Sequence, residues 1–250
     1  MGKNNKHIII AGPCAIETKK IFFDTIDSIN KDVDIFRAGI WKARTSPNNF
    51  QGIGEEGLSW IQEAQIKYKK PFAIEVGTAQ HVELALKHEI GILWIGARTT
   101  CNPFSVQEIC EATRGSDLEI WIKNPIFPNL ELWIGAIERF KKSKIKNIKV
   151  INRGFFSESP SPYRNLPRWD IVRKFKKIFP KIPLICDPSH ISGNTELIYD
   201  VCVKALSYEV IGFMIEVHKK PEIALSDQNQ QLKPKEFCEI LDKLKSTNST

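Results

Sequence analysis

The sequence lacks any hydrophobic run long enough to cross a bilayer. Apolar runs such as residues 8–11 and 90–97 fall far short of the roughly 20 residues that a membrane-spanning helix needs. The N-terminal segment holds only a short apolar run before a Gly-Pro turn, which makes a poor signal peptide, and Met1-Gly2 is not followed by the Ser or Thr of a myristoylation site. We therefore expect a cytoplasmic protein with no membrane partner.

Paired cysteines are also absent. The chain has six cysteines and no CxxC pair, so a cytosolic chain would keep them reduced, and most are expected to be small core residues. The net charge of +7 permits nucleic-acid binding, but the lysines are dispersed and no basic stripe is interleaved with aromatic residues. Small anionic substrates suit this charge better, so no nucleic-acid partner is expected.

No linker rich in Ser or Pro divides the 250 residues. One domain of this length is normal for a barrel, and 42% hydrophobic residues suffice for a large core. We predict a single domain over residues 1–250, with residues 246–250 as a disordered tail. The one loop rich in Ser and Pro, residues 155–167, follows the sixth predicted strand.

Short apolar runs alternate with helical patterns along the chain. The runs are mostly apolar throughout, as expected for strands buried on both faces, and occupy residues 7–11, 33–38, 71–76, 90–96, 118–123, 148–152, 182–187 and 210–216. Apolar spacings of three and four predict helices at 18–28, 55–68, 79–88, 103–112, 130–141, 167–179, 195–206 and 233–245. No GxGxxG turn follows the first strand, which argues against an open dinucleotide-binding sheet. This α/β alternation predicts a single closed (β/α)8 TIM barrel.

The carboxyl ends of the predicted strands carry charged side chains, which a barrel brings to one rim. One set is cationic: Arg37, Lys42, Arg44, Arg98, Lys123 and Arg153. Six cations at one mouth repel each other unless anions lie between them, and Arg binds carboxylate or phosphate through two parallel hydrogen bonds. The set predicts one or two small substrates with several phosphate or carboxylate groups.

The other set consists of side chains that bind metals: Cys14, His190, Glu216 and Asp227. Thiolate, imidazole and carboxylate are all ligands of divalent transition metals. Strands eight and one are neighbours in a closed barrel, so the four side chains could meet. Their wide separation in sequence leaves an ordinary role as loop and core residues open. Further strand ends carry titratable residues that belong to neither set: Glu75, Asp187 and His218.

Eight motifs in order resemble one family. They read AGPCAIE, RAGIWKARTSP, IGARTT, KNP, RGF, CDPSH, IEVH and ALSD, and they follow one another as in 3-deoxy-D-arabino-heptulosonate 7-phosphate (DAHP) synthases. The similarity extends from about residue 7 to the last predicted helix. ELWIGAIERF and YRNLPRW are most similar to the form that some bacteria fuse to a chorismate mutase. The resemblance implies a (β/α)8 barrel.

The resemblance also implies an activity: metal-dependent, aldol-like condensation of phosphoenolpyruvate with D-erythrose 4-phosphate and water, which gives DAHP and phosphate. This is the first step of the shikimate pathway to the aromatic amino acids. The implied cofactor is one divalent metal ion (Mn, Fe, Co or Zn), with ligands at Cys14, His190, Glu216 and Asp227.

Substrate contacts follow from the same resemblance. Phosphoenolpyruvate is assigned to Arg37, Lys42, Arg98, Lys123 and Arg153, and erythrose 4-phosphate to Arg44 and Thr45. We assign Lys42 as the proton donor and count Cys14 and His190 with it as catalytic residues.

Two positions depart from the family. Ala43 stands where the family has Pro, and Asn152 stands where close relatives have His. Ala43 also occurs in 3-deoxy-D-manno-octulosonate 8-phosphate synthases, which use arabinose 5-phosphate, but those enzymes read Lys-Ala-Asn-Arg-Ser where this chain reads Lys-Ala-Arg-Thr-Ser. That activity stays open as an alternative. So does a catalytically weakened barrel that acts as a regulatory partner, which Asn152 favours.

Four tryptophans bear on assembly. Trp60, Trp121, Trp133 and Trp169 are not all expected in one core, so we predict a homo-oligomer with some of them at its interface; ordinary burial is the alternative. A separate chorismate mutase is a candidate partner. We expect no feedback regulation within this polypeptide, because the sequence leaves no room for a fused mutase or a regulatory domain beside the barrel.

Overall fold

The computed structural model describes residues 7–247 and shows a closed barrel of eight parallel strands. They are β1 (Ile8–Gly12), β2 (Ile35–Ala38), β3 (Phe72–Val76), β4 (Ile92–Ile95), β5 (Glu119–Lys123), β6 (Asn147–Asn152), β7 (Leu184–Cys186) and β8 (Gly212–Glu216). Each strand pairs with the next, and β1 closes the ring with β8, from Ile8 opposite Gly212 to Gly12 opposite Glu216. The predicted TIM barrel is confirmed.

Several strands are shorter than the apolar runs that predicted them. β4 has four residues and β7 has three. The runs continue beyond the hydrogen-bonded ladder because the chain entering each strand is also buried, as at Ile90 and Ile182. The length of each apolar run therefore reflects how many residues are buried, and not how many pair with a neighbouring strand.

Ten α-helices accompany the strands within the described residues. They are α1 (Lys19–Ile29), α2 (Glu56–Tyr68), α3 (Ala79–Lys87), α4 (Ala97–Thr100), α5 (Pro103–Ala112), α6 (Leu130–Lys142), α7 (Trp169–Ile178), α8 (Pro188–Ser192), α9 (Ile198–Leu206) and α10 (Pro234–Thr247). Eight match predicted segments. The other two, α4 and α8, directly follow β4 and β7, and their four and five residues are too few to show a helical period.

Capping side chains fix several helix starts. The Thr18 hydroxyl accepts a hydrogen bond from the backbone N–H of Ile21 at the start of α1. At the start of α5, Asn102 accepts from two backbone N–H groups, and Pro103 takes the first helical position, where its missing N–H costs nothing. Such caps set the length of the loops between strand and helix.

Two apolar layers form the core. Along β4, Leu93 faces the surrounding helices while Trp94 faces the barrel axis, where it packs with Trp121 and other strand residues. Trp121 and Trp133 are fully buried, and Trp60 and Trp169 are partly buried against the outer layer. Two of the four tryptophans thus belong to the core and two pack against it, and the homo-oligomer stays a prediction.

In the described part of the chain, no helix is both long enough and apolar enough to cross a membrane. α10 ends at Thr247, so the predicted tail overlaps the end of this helix, and residues 248–250 lie outside the described residues. The prediction of one domain over residues 1–250 stands as a prediction.

Candidate active site

The carboxyl ends of the strands open into a cavity of about 430 Å³. Predicted site residues that line it are Lys42, Arg44, Thr45, Arg98, Lys123, Arg153, His190 and Asp227. Three further predicted residues are fully buried beneath the cavity: Cys14, Arg37 and Glu216. Cys14 contacts Asp227, Glu216 lies beside His190, and Arg37 pairs with Glu216. The structure thus gathers the predicted substrate and metal residues around one cavity.

Arg37, on β2, is a buried cation at the base of the cavity. Its Nη2 lies 3.0 Å from Glu216 Oε1, and its guanidinium lies over the Trp94 ring, 5.1 Å from the ring centroid. Burial acts to lower the pKa of Arg37, but the acidic groups around it, Glu216 first among them, together outweigh burial and raise the pKa. Among the described residues, nothing accepts a hydrogen bond from its Nε or Nη1. Buried donors of this kind call for an acceptor, which a bound anion can supply.

Asp187 lies between β7 and α8 and holds two other site residues. Its Oδ2 lies 3.0 Å from Lys123 Nζ and 2.9 Å from His190 Nδ1, and its side chain caps α8 by accepting from the backbone N–H of His190. Burial acts to raise the pKa of Asp187, but the His190 and Lys123 charges hold the pKa well below its ordinary value. The imidazole is thereby oriented with Nε2 3.8 Å from Glu216 Oε1.

Cys14, Glu216 and Asp227 form a compact cluster. One ligand atom from each lies within 4.8 Å of the other two. Cys14 follows β1 and Glu216 ends β8, which are neighbouring strands, and Asp227 lies beyond β8 with a left-handed backbone (φ 47°). The fourth predicted ligand, His190, stands beside this trio rather than within it.

The protonation states in the cluster differ. Burial, and then the Glu216 charge, raise the pKa of the Cys14 thiol to about 12, although Lys42 Nζ lies 3.1 Å from the sulfur and acts in the opposite direction. Burial also acts to raise the pKa of Asp227, but the His190 and Arg164 charges hold that pKa below its ordinary value. The carboxylate is therefore ionised near neutral pH, whereas the thiol is protonated there; a metal cation bound at the sulfur would displace that proton to solvent.

A second group of cations lies on the loops at the cavity opening. Arg44 and Thr45 follow β2, and Arg98 lies in α4. Arg98 Nη2 donates to Thr45 Oγ1 at 3.4 Å, and Arg44 Nη1 lies 3.7 Å from Asp227 Oδ2. These contacts are long, so both guanidinium groups can take up other acceptors.

Arg153 follows β6. Its Nη1 donates to Asn165 Oδ1 at 2.9 Å. Burial lowers the pKa of Arg153 to about 10 against the opposing charge of Asp187, so the side chain stays charged at neutral pH. The cavity therefore keeps a half-buried positive charge here.

Sequence reasoning missed Arg164 and Asn165, which also line the cavity. They belong to the loop rich in Ser and Pro, which the sequence placed on the correct face of the barrel, and to the YRN part of the motif YRNLPRW. The path of a long loop does not follow from its composition, so their orientation could not be predicted.

Two other strand-end positions do not line the cavity. His218 lies 3.9 Å from Glu17 Oε2, and its Nδ1 accepts from the backbone N–H of Lys220. Asn152 is buried; its amide donates to Pro167 O at 3.2 Å and accepts from Gly154 N at 3.2 Å. Asn152 thus holds the following loop in place.

These features define a (β/α)8 barrel protein with a cationic mouth beside a cluster of metal-ligand side chains. The chain belongs to the DAHP synthetase I family, whose sequence model matches residues 1–250. The resemblance seen in the motifs is confirmed.

Similar proteins carry two sister activities. Phospho-2-dehydro-3-deoxyheptonate aldolase of Thermotoga maritima is 28% identical over 245 residues, which cover 97% of this chain and 70% of that protein. A crystal structure described as that aldolase (DAHP synthase), also from Thermotoga maritima, matches with a TM-score of 0.86 at 28% identity and covers 98% of this chain and 70% of that chain. A 2-dehydro-3-deoxyphosphooctonate aldolase of Fusobacterium nucleatum is 27% identical over 269 residues, covering 96% of this chain and 90% of that protein.

Proposed function

We propose that the protein condenses phosphoenolpyruvate with D-erythrose 4-phosphate and water to give DAHP and phosphate, at the entry to the shikimate pathway and aromatic amino acid biosynthesis. The observation that carries this proposal is a cavity of about 430 Å³ that is lined by cations and adjoins the cluster of Cys14, Glu216 and Asp227. Membership of the DAHP synthetase I family supports the same reaction class.

The cluster suits one divalent metal ion of the Mn, Fe, Co or Zn type. A thiolate, two carboxylates and an imidazole are donors that such ions accept. Nδ1 of His190 is held by the Asp187 carboxylate, one of the usual partners of metal-binding histidines. The proposed ligands are Cys14, His190, Glu216 and Asp227. A bound ion would act as a Lewis acid toward the aldehyde carbonyl or position a water.

We assign phosphoenolpyruvate to the inner cations. Arg37 has two buried N–H groups without a partner, and Lys123 and Arg153 bring further charge to the same cavity. The carboxylate and phosphate of phosphoenolpyruvate offer the acceptors that these groups need, and Arg98 adds a donor at the opening. The attachment of both anionic ends fixes the enol between them.

Erythrose 4-phosphate belongs to the loop after β2. Arg44 presents a planar donor group beside the Thr45 hydroxyl, a combination that suits a phosphate. Binding both substrates in one cavity replaces a bimolecular encounter by an oriented one.

Lys42 is the proposed proton donor. Burial acts to lower the pKa of Lys42, but the acidic groups around it, Cys14, Glu75 and Glu216, together outweigh burial and raise the pKa, so the ammonium is intact at neutral pH. As C3 of phosphoenolpyruvate forms a bond to the aldehyde carbon, Lys42 protonates the aldehyde oxygen. Water then adds at C2 and gives a proton back to Lys42, and phosphate leaves from the tetrahedral intermediate.

Octulosonate 8-phosphate synthesis from arabinose 5-phosphate is the second candidate. Ala43 lines the cavity at the position where that sister family has Ala, and the Fusobacterium nucleatum relative carries that family's name. The Arg44-Thr45 pair favours the shorter aldose.

Phosphate release decides between the candidates. The protein is incubated with phosphoenolpyruvate, each divalent metal in turn, and either erythrose 4-phosphate or arabinose 5-phosphate. We expect phosphate release with erythrose 4-phosphate. A preference for arabinose 5-phosphate would assign the sister activity, and no release with either aldose would favour the weakened barrel with a regulatory role.

Three further proposals concern the setting of the protein: a cytoplasmic location, a homo-oligomer, and a separate chorismate mutase as partner. Analytical sedimentation that gives a monomer at micromolar concentration would contradict the oligomer. Addition of a chorismate mutase should change the sedimentation profile if the two proteins associate.

A further inference from the structure

We propose that Arg164 and Asn165 are a positioning pair, in which Arg164 orients the carboxylates of the metal cluster and Asn165 fixes Arg153 in the phosphoenolpyruvate half of the cavity. The inference rests on the proposed function, because it assigns roles within the same site. Each residue acts through other side chains and not on the reacting atoms.

The backbone of the pair is pinned from two sides. The N–H groups of Arg164 and Asn165 donate to the carbonyl oxygens of Ser192 and Ile191 at 3.2 and 3.1 Å. The next residue, Leu166, exchanges two hydrogen bonds of 2.8 Å with Phe155 at the start of the loop. The pair therefore has a fixed position between the loop and α8, although it lies in a long connection.

Two glycines make this close approach sterically feasible. A Cβ on Gly193 would lie 2.3 Å from Arg164 Cβ, and a Cβ on Gly154 would lie 2.6 Å from the carbonyl oxygen of Asn165. Both glycines also have left-handed backbones, with φ of 73° and 77°. No other residue type fits these positions without moving the pair.

Arg164 is tied to both carboxylates of the cluster. Its Nη1 donates to Asp227 Oδ1 at 2.9 Å and to Gln230 Oε1 at 2.6 Å. The amide of Gln230 is thereby oriented to donate from Nε2 to Glu216 Oε2 at 2.7 Å. Each carboxylate thus has one oxygen held by this chain of hydrogen bonds, which fixes the direction of the other oxygen.

Asn165 is tied to the other half of the cavity. Its Oδ1 accepts from Arg153 Nη1 at 2.9 Å, and its Nδ2 donates to the backbone carbonyl of His190 at 2.7 Å. The side chain is buried, with 6% of its surface exposed, and both ends of its amide are used. Arg153 is therefore held against α8 in one orientation before an anion arrives.

Adjacent residues are thus expected to have separable effects. Arg164→Met removes the donor from Asp227 and Gln230 but leaves the hydrogen bond between Arg153 and Asn165 in place. The Mn²⁺ affinity, measured by calorimetry, should weaken about 10- to 100-fold, as for other side chains that orient metal ligands, while phosphoenolpyruvate affinity changes less than about twofold. Arg164→Lys should recover part of the Mn²⁺ affinity, because it retains the charge and one donor direction.

Asn165→Ala should show the opposite pattern. Arg153 loses its orienting acceptor, so the dissociation constant for phosphoenolpyruvate should rise about 3- to 10-fold, less than the loss of a direct charged hydrogen bond would cause. Mn²⁺ affinity should change less than about threefold. Arg168→Met is the matched control, because Arg168 ends the same connection directly before α7 and pairs with Asp170; it should alter neither affinity.

Equal weakening of both affinities in the two variants, accompanied by lower melting temperatures, would assign the pair a merely structural role and overturn the proposal. Unchanged affinities would overturn it as well. If Arg164→Met weakened erythrose 4-phosphate binding while Mn²⁺ affinity stayed the same, Arg164 would be a direct phosphate ligand. Failure of the wild-type protein to bind either Mn²⁺ or phosphoenolpyruvate would instead contradict the proposed function itself.

Discussion

The floor and the rim of the cavity are built differently. The floor consists of Arg37, Lys123, Asp187 and Glu216, which are buried and form ion pairs of 3.0 Å, Arg37 with Glu216 and Lys123 with Asp187. The rim consists of Arg44, Thr45 and Arg98, whose contacts of 3.4 and 3.7 Å are longer. The floor thus holds its charges in fixed positions, while the rim can exchange weak contacts for those of a substrate.

The difference has a physical origin. Floor residues come from strand ends and the turn after β7, where the barrel fixes the backbone, and taking charges out of water there is tolerated only with a partner. Rim residues lie on the loop after β2 and in the short helix α4, and they keep contact with solvent. Substitutions in the floor should therefore affect folding and chemistry together, and substitutions in the rim should affect binding alone.

Metal removal should have the largest effect, because the cluster of Cys14, Glu216 and Asp227 joins the two regions. A chelator is expected to abolish phosphate release, and Mn²⁺, Fe²⁺, Co²⁺ or Zn²⁺ should restore it. Cys14→Ser, which preserves the size of this fully buried side chain, should weaken metal affinity while leaving the fold intact by circular dichroism. Cys238→Ser, in α10, is the control. Full turnover in excess chelator would contradict the metal site.

Asp187→Asn tests the floor. It leaves Lys123 buried without its carboxylate, so the free energy of unfolding, measured in chelator, should fall by about 3–5 kcal/mol. The exposed carboxylate Asp170, paired with Arg168, is the control: Asp170→Asn should cost about 0.2–1 kcal/mol, the range of surface pairs. Equal losses in the two variants would remove the distinction between a buried floor and an exposed surface.

The stability of the wild-type protein and of Asp187→Asn should also depend differently on pH. The pKa of Asp187 lies well below 3.8 in the folded protein. Its contribution to stability is therefore complete above about pH 4 and is lost as the pH falls further. The wild-type protein should lose more stability below pH 4 than Asp187→Asn does. Parallel acid-unfolding curves would show that Asp187 is not held ionised by its partners.

The comparison of floor and rim also explains what the sequence could predict. Arg37 and Lys123 were found because a barrel turns strand ends toward one mouth, whatever the loops do. The eight strands and the main helices followed from apolar patterns of sufficient length. The helix α8, by contrast, is too short for a pattern, yet it carries His190 and anchors the loop that contains Asn165.

Contacts between long loops could not be predicted from the sequence, for a second reason. The Arg164–Asp227 pair joins residues 63 positions apart, and neither the loop after β6 nor the one after β8 has a period that fixes its path. Tertiary hydrogen bonds and glycines with left-handed backbones set these paths instead. Asn152 illustrates the same limit: its role in holding a loop became visible only through its partners.

Substitutions of Arg44 and Arg98 test the rim, because the two residues are assigned to different substrates. Arg44→Ala should raise the KM for erythrose 4-phosphate about 10- to 100-fold, the loss of a charge-assisted contact, and change the KM for phosphoenolpyruvate little. Arg98→Ala should show the reverse preference. Neither variant should lower the melting temperature as Asp187→Asn does, because the rim contacts they remove are long.

The hydrogen bond between Arg98 and Thr45 links the two proposed substrate positions, so a third variant is needed. Arg98 donates to the Thr45 hydroxyl, so Arg98→Ala also frees a residue assigned to the other substrate. Thr45→Val removes that hydroxyl while retaining both arginines. If it raises the KM for erythrose 4-phosphate alone, the hydroxyl serves the aldose phosphate. If Arg44→Ala and Arg98→Ala weaken both substrates equally, the rim is one shared electrostatic field, and the assignment of separate pockets is wrong even where the reaction is right.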